Sequence, residues 1–157
     1  MDQEAIIQYI AETFIGVEIV RPTDGPGVGD TFVFYDPRHD LDPARRLPLA
    51  TVVTKDYGDF DNTSRLSRPD VFRLNIGVSR DSFQTLFGFP PSEAPARSGD
   101  YNFAALDRLL PHPVYAEQAY VCVLNPSAET FENVKPLLAE AYNRAVARYA
   151  SRQGKTD

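Results

Sequence analysis

Residues 70–78 read DVFRLNIGV, so that Phe72, Leu74, Ile76 and Val78 alternate with Arg73, Asn75 and Gly77. Successive side chains of an extended chain point to opposite faces, so this stretch asks for a sheet with one apolar and one polar face. The apolar face needs a cover, and the two ends of the chain carry one. Asp2 is placed to cap a helix reaching about Phe14, whose Ile6, Ile7, Ile10, Ala11 and Phe14 form one stripe. From Ser127 onward, Phe131, Val134, Leu137, Leu138, Ala141, Tyr142, Ala145, Val146 and Tyr149 hold a helical register to the end of a long amphipathic helix. Pro136 leaves its start open: either Asn133 caps it, or an earlier turn kinks at the proline.

Further strands are expected at Val17–Arg21 and Asp30–Tyr35, a hairpin pair around the glycine- and proline-rich turn Pro22–Gly29, and at Leu49–Lys55 and Ala119–Leu124. The turn lacks the Gly-Lys-Ser/Thr ending and the following helix of a phosphate-binding loop. Ser79 is a natural cap for a helix Arg80–Phe87, Gly88–Tyr101 is a proline-rich excursion, and Asn102–Leu110 is expected as a short helix. The expected fold is one α+β domain over residues 1–157: a mostly antiparallel sheet of five or six strands, with the N- and C-terminal helices on one face. Long loops partly cover the other face, and residues 151–157 form a frayed tail.

At 157 residues and 43% hydrophobic content, the chain has one core's worth of apolar material. A formal charge of −6 argues against nucleic acid as a partner, because such affinity comes from Lys and Arg neutralising phosphates. Arg45, Arg46, Arg65, Arg68 and Arg73 would have to converge on one face for that reading to hold. The single cysteine, Cys122, allows no intramolecular disulfide and, with two histidines, no standard Cys/His zinc site. The opening MDQEAIIQYIAETF has neither the basic region of a signal peptide nor a membrane-length apolar run, so no membrane partner and a cytoplasmic location are expected. No dinucleotide fingerprint, nucleophile elbow or His-Glu-x-x-His helix calls for a cofactor.

His112 lies between Pro111 and Pro113, which keep the backbone extended and fix where the imidazole points. With Tyr115 it forms the catalytic candidate, as a general acid or base; the plainer reading is that both side chains bond to backbone and pin a loop. Lys55, Asp56, Tyr57, Arg73 and Asn75 are the candidate ligand-binding set. A guanidinium fork beside an amide suits an anionic small molecule, and an exposed sheet face would explain Arg73 and Asn75 as well. Asp59, Asp61, Thr63, Ser67 and Asp70 are spaced like calcium-loop ligands, but Ser64 stands where that loop needs glycine and Asp70 is too short for its bidentate position. No metal is expected; Asp59 and Asp61 are read as turn caps, His39 as a solvated loop residue and Cys122 as a small buried hydrophobe.

The words VTKDY, FRLNIGV, PHPVYA and VLNP, in this order, resemble a family of uncharacterised single-domain bacterial proteins, a domain of unknown function similar along nearly the whole chain. That resemblance implies no activity, cofactor or catalytic residue. More distantly, the element order and the Pro111-His112 pair are similar to the MmcQ/YjbR-like fold, some of whose members are labelled putative DNA-binding proteins. The acidic balance of this chain departs from such a role. The reading that follows is a small soluble binding or interaction domain, with an enzyme using His112 and a nucleic-acid-binding protein as its rivals. The sequence says nothing of oligomeric state.

Overall fold

The protein is described from a computed structural model covering residues 1–155. Among the described residues, six strands form one sheet in the order β1-β2-β3-β4-β6-β5, every neighbouring pair antiparallel. They are β1 (Val17–Val20), β2 (Thr31–Tyr35), β3 (Ala50–Val53), β4 (Arg73–Gly77), β5 (Leu109–Pro111) and β6 (Tyr120–Leu124). The helices are α1 (Gln3–Thr13), α2 (Arg80–Phe87) and α3 (Ala128–Lys155).

The alternation of β4 is carried across the sheet by register. Leu74 stands opposite Val52 and Val123, and Ile76 opposite Ala50 and Val121. All six are buried in one cluster with Ile6, Ile7 and Ile10 of α1 and Phe131, Val134 and Leu138 of α3. Both terminal helices therefore cover the same face. Asp2 caps α1 by accepting from the Ala5 amide at 2.8 Å, and Ser79 caps α2 through the Ser82 amide. Ser127 caps α3: its Oγ accepts from the Thr130 amide at 3.1 Å, while its own amide donates to Asp107 at 2.7 Å. Pro136 lies well inside α3, not in its first turn, so the Glu132 carbonyl has no helical amide to accept from. Of the expected frayed tail, 151–155 continue α3, and residues 156–157 lie outside the described residues.

One element is corrected. Residues 102–110 form turns running into β5 rather than a helix. Leu109, Leu110 and Pro111 pair with Val123, Cys122 and Val121 at the sheet edge, where a proline costs nothing because no further strand needs its missing N–H. No helix among the described residues is long and apolar enough to cross a membrane.

Candidate functional site

The second face of the sheet is set by the same register, one residue out of step. Arg73 stands opposite Val53 and Leu124, and Asn75 opposite Thr51 and Cys122. Gly77 stands opposite Tyr120, whose ring lies so close that a Cβ at Gly77 would sit 3.2 Å from it. Among the described residues, no α-helix covers this face. The loop between β3 and β4, the β2–β3 connection around Leu47 and Pro48, and the segment His112–Tyr120 close over it. They line a cavity of about 530 Å³ with walls of Phe32, Leu47, Pro48, Val53, Tyr57, Phe60, Tyr115 and Tyr120, a floor of Thr51, Asp61, Arg73, Asn75 and His112, and Gln118 as a further polar liner. Apolar walls with a few converging polar groups are the ordinary make-up of a small-molecule site.

Arg73 is 1% exposed and Asn75 is 3% exposed, so neither belongs to a solvated sheet face. The guanidinium is held by Asp61, whose two oxygens accept from Nη1 at 3.0 Å and Nη2 at 2.6 Å. Ser64 Oγ accepts from Nη1 at 2.8 Å and Asn75 Oδ1 from Nε at 2.9 Å, while the Asn75 amide donates to Thr51 at 2.8 Å. Burial works against charge on both ion-pair partners, and their bidentate bond outweighs it: Arg73 is held above its ordinary range and Asp61 below the usual carboxylate range.

Of the five guanidinium protons, four go to Asp61, Ser64 and Asn75. The fifth lies on Nη2, which is 3.4 Å from His112 Nε2. His112 is itself buried, and its Nδ1 accepts from the amides of Val114 at 3.0 Å and Tyr115 at 2.9 Å. A ring nitrogen that accepts twice carries no proton, so the proton of the neutral ring is on Nε2. Burial, and then the adjacent Arg73 charge, pull the His112 pKa down to about 3. The two facing nitrogens are therefore both donors at neutral pH, side by side on the cavity floor.

Of the residues singled out by sequence, Tyr57, Arg73, Asn75, His112 and Tyr115 come together around this cavity, and Lys55 and Asp56 do not line it. Lys55 Nζ turns instead to the Val28 carbonyl and to Asp30, and Asp56 accepts from the Leu66 amide at 2.9 Å. Asp30 is a buried hub that also accepts from the Thr54 amide at 2.8 Å and from the Tyr57 hydroxyl. Burial, and then the bond to Asp30, push the Tyr57 phenol well above its ordinary range. Asp61, read from the sequence as a turn cap, is the partner of Arg73, and Phe32, Thr51, Phe60 and Tyr120 are added to the cavity. The alternation of β2 and β3 was the available signal for Phe32 and Thr51; nothing local marks Asp61.

Cys122 is fully buried, its Sγ 3.7 Å from the Pro111 carbonyl oxygen, with a thiol pushed up to about 12 by burial, which makes it unreactive. Among the described residues, Glu18, Asp36 and His39 are the one group with metal-ligand spacing. Arg46 Nη1 already sits 2.8 Å from Glu18 and 3.6 Å from Asp36, so a cation is in place there. The five arginines are spent separately. Arg45 faces Asp42, Arg46 lies over Phe34, Arg68 donates to the Ser64, Arg65 and Ala104 carbonyls, Arg73 is buried, and Arg65 is exposed.

The family of unknown function DUF6194 matches residues 1–154. The chain belongs to that family. The DUF6194 match covers the whole sheet, α1, all but the last residue of α3 and every residue of the cavity. No curated protein and no solved structure matches the chain significantly. None of these comparisons shows the MmcQ/YjbR-like fold.

Proposed function

We propose that this member of DUF6194 is a small-molecule-binding protein. Its ligand lays an apolar body against the aromatic walls and sets one oxygen acceptor between Arg73 Nη2 and His112 Nε2. The observation that carries this reading is the pair of donors 3.4 Å apart on the polar floor of a cavity with largely apolar walls. Two donors side by side repel, and an oxygen accepting from both would relieve them. The anion suggested by Arg73 in the sequence loses its warrant, because Asp61 already balances that charge and a second buried anion would meet no second cation. The acceptor is accordingly an uncharged one, such as a carbonyl.

A general-base role for His112 draws less from the geometry. Its Nδ1 lone pair is taken by two amides and its Nε2 carries a proton, so the neutral ring offers no lone pair to a substrate. The dispersed arginines lend nothing to a nucleic-acid reading.

The test is an amide NMR titration with acetophenone, ethylbenzene and benzoate. Acetophenone is expected to bind saturably, shifting the Val114 and Tyr115 amides, and to bind at least tenfold tighter than ethylbenzene, the increment of two hydrogen bonds to its oxygen, and tighter than benzoate, whose charge meets a guanidinium already paired with Asp61. His112→Asn, which keeps an acceptor for those amides and drops the Nε2 donor, should cut that preference to what the remaining Arg73 Nη2 donor supplies. Equal binding of ethylbenzene, or tighter binding of benzoate, would overturn the reading.

A further inference from the structure

A second cavity, of about 390 Å³, lies beside the first. Its walls are again largely apolar, with Pro95, Tyr101, Phe103, Val114 and Ala116 among them. Two side chains line both cavities, Phe60 and His112. They differ in how they are held. His112 is 4% exposed and pinned through Nδ1 by two amides, whereas Phe60 is 62% exposed. Phe60 sits on the tight turn closed by the Tyr57–Asp61 bridge, and its one ring partner among the described residues is Tyr115, at a centroid distance of 6.0 Å. An exposed ring on a turn changes rotamer on the picosecond to nanosecond scale, while a buried ring bonded to backbone does not. The partition thus has one fixed post and one hinged door.

Building on the ligand-binding reading above, we infer that the two cavities are subsites of one elongated, uncharged ligand with an apolar group on each side of a central oxygen acceptor. His112 stands where the halves meet, so an oxygen held at its Nε2 leaves one arm in each cavity. The fixed post sets the position of the acceptor. Phe60 swings aside to let the second arm through and then packs against it. Charge points the same way, because the lining of the two cavities holds one cation, Arg73, already paired with Asp61. The other charged liner, Glu117, is an anion that disfavours a carboxylate on the second arm.

Benzophenone, which carries two rings on one carbonyl, is the probe, with acetophenone as its one-armed counterpart. In the full-length protein, benzophenone is expected to bind at least tenfold tighter than acetophenone. Ser98→Trp, at an exposed position of the second cavity wall, should remove that gain and leave acetophenone unchanged. Phe60→Ala should raise the benzophenone association rate more than that of acetophenone. If acetophenone binds but benzophenone binds no tighter, or keeps its gain in Ser98→Trp, the two-subsite inference fails and the single cavity stands. If acetophenone itself does not bind, the ligand-binding reading fails and takes this inference with it.

Discussion

Arg73 and Leu74 are neighbours on β4, 1% and 0% exposed, and they are buried by opposite means. Leu74 enters a face where Val52, Val123 and the helices α1 and α3 offer only apolar atoms, and water is excluded by packing. Arg73 enters a face closed by loops, where four of its five guanidinium protons go to named acceptors and the charge to a named partner. The helix face tolerates any close-fitting hydrophobe. The loop face depends on particular residues and leaves space, because loops that carry their own polar groups cannot pack as densely as two amphipathic helices.

The comparison breaks first at the ion pair. Asp61→Ala leaves a buried guanidinium without a counter-charge and is expected to cost about 4 kcal/mol, read as a lowered urea midpoint. Leu74→Ala, at the adjacent position, should cost about 3 kcal/mol through lost transfer energy and a cavity. What separates the faces is rescue. Arg73→Met combined with Asp61→Leu removes both charges and should recover most of the loss, whereas no second substitution on the helix face restores Leu74→Ala except one that refills its volume. An Asp61→Ala variant as stable as the native chain would mean that the Arg73 charge is solvated after all.

Acid sharpens the same contrast, since the buried helix-face cluster among the described residues is made of hydrophobic side chains. His112 has a folded pKa of about 3 against an ordinary value of 6.5, so between those values the unfolded chain binds the extra proton. Its contribution is complete above pH 6.5 and is lost as pH falls toward 3, amounting to about 3 kcal/mol by pH 4. Asp61, whose pKa is lowered, adds a further loss only below the ordinary carboxylate range. Denaturation midpoints should therefore begin to fall below pH 6.5, ahead of any carboxylate, and His112→Asn should flatten that segment while keeping the acid loss below it. A native profile flat down to pH 4.5 would count against a buried neutral His112.

The helix face was legible in the sequence because its signals are periodic: period two through Phe72–Val78, and the helical stripes of α1 and α3. The loop face was legible only in part. The prolines around His112 pointed to a fixed imidazole, but its tautomer is set by the amides of Val114 and Tyr115, which turn back on it in a way no pattern announces. Asp61 and Arg73 are twelve positions apart and linked by no repeat, so the bond that closes the site was invisible. Lys55 and Asp56 were singled out at the end of the strand expected over Leu49–Lys55, but β3 ends at Val53, and past it one side chain turns to Asp30 and the other to the Leu66 amide. β5 escaped notice because three residues are too few to show an alternation.

Gly77 gives the finest test, since it touches the loop face through shape alone. An alanine there would gain about 0.5–1 kcal/mol of chain entropy in a strand. Its Cβ would also sit 3.2 Å from the Tyr120 ring, which must then shift by a few tenths of an ångström. Tyr120 is tied by its hydroxyl to the Pro48 carbonyl at 2.6 Å, so the ring cannot retreat freely along the sheet, and its other side faces the cavity. The two effects nearly cancel in stability, and Gly77→Ala should unfold within about 1 kcal/mol of the native chain. The displaced ring takes its room from the cavity, so acetophenone binding should weaken while the urea midpoint barely moves. A substitution of equal size on the helix face, Ala50→Gly opposite Ile76, should do the reverse, lowering the midpoint by about 1 kcal/mol and leaving the ketone's affinity as it was. Should both variants change stability and binding in step, the two faces would be one mechanical unit, and the division of labour drawn between them would not hold.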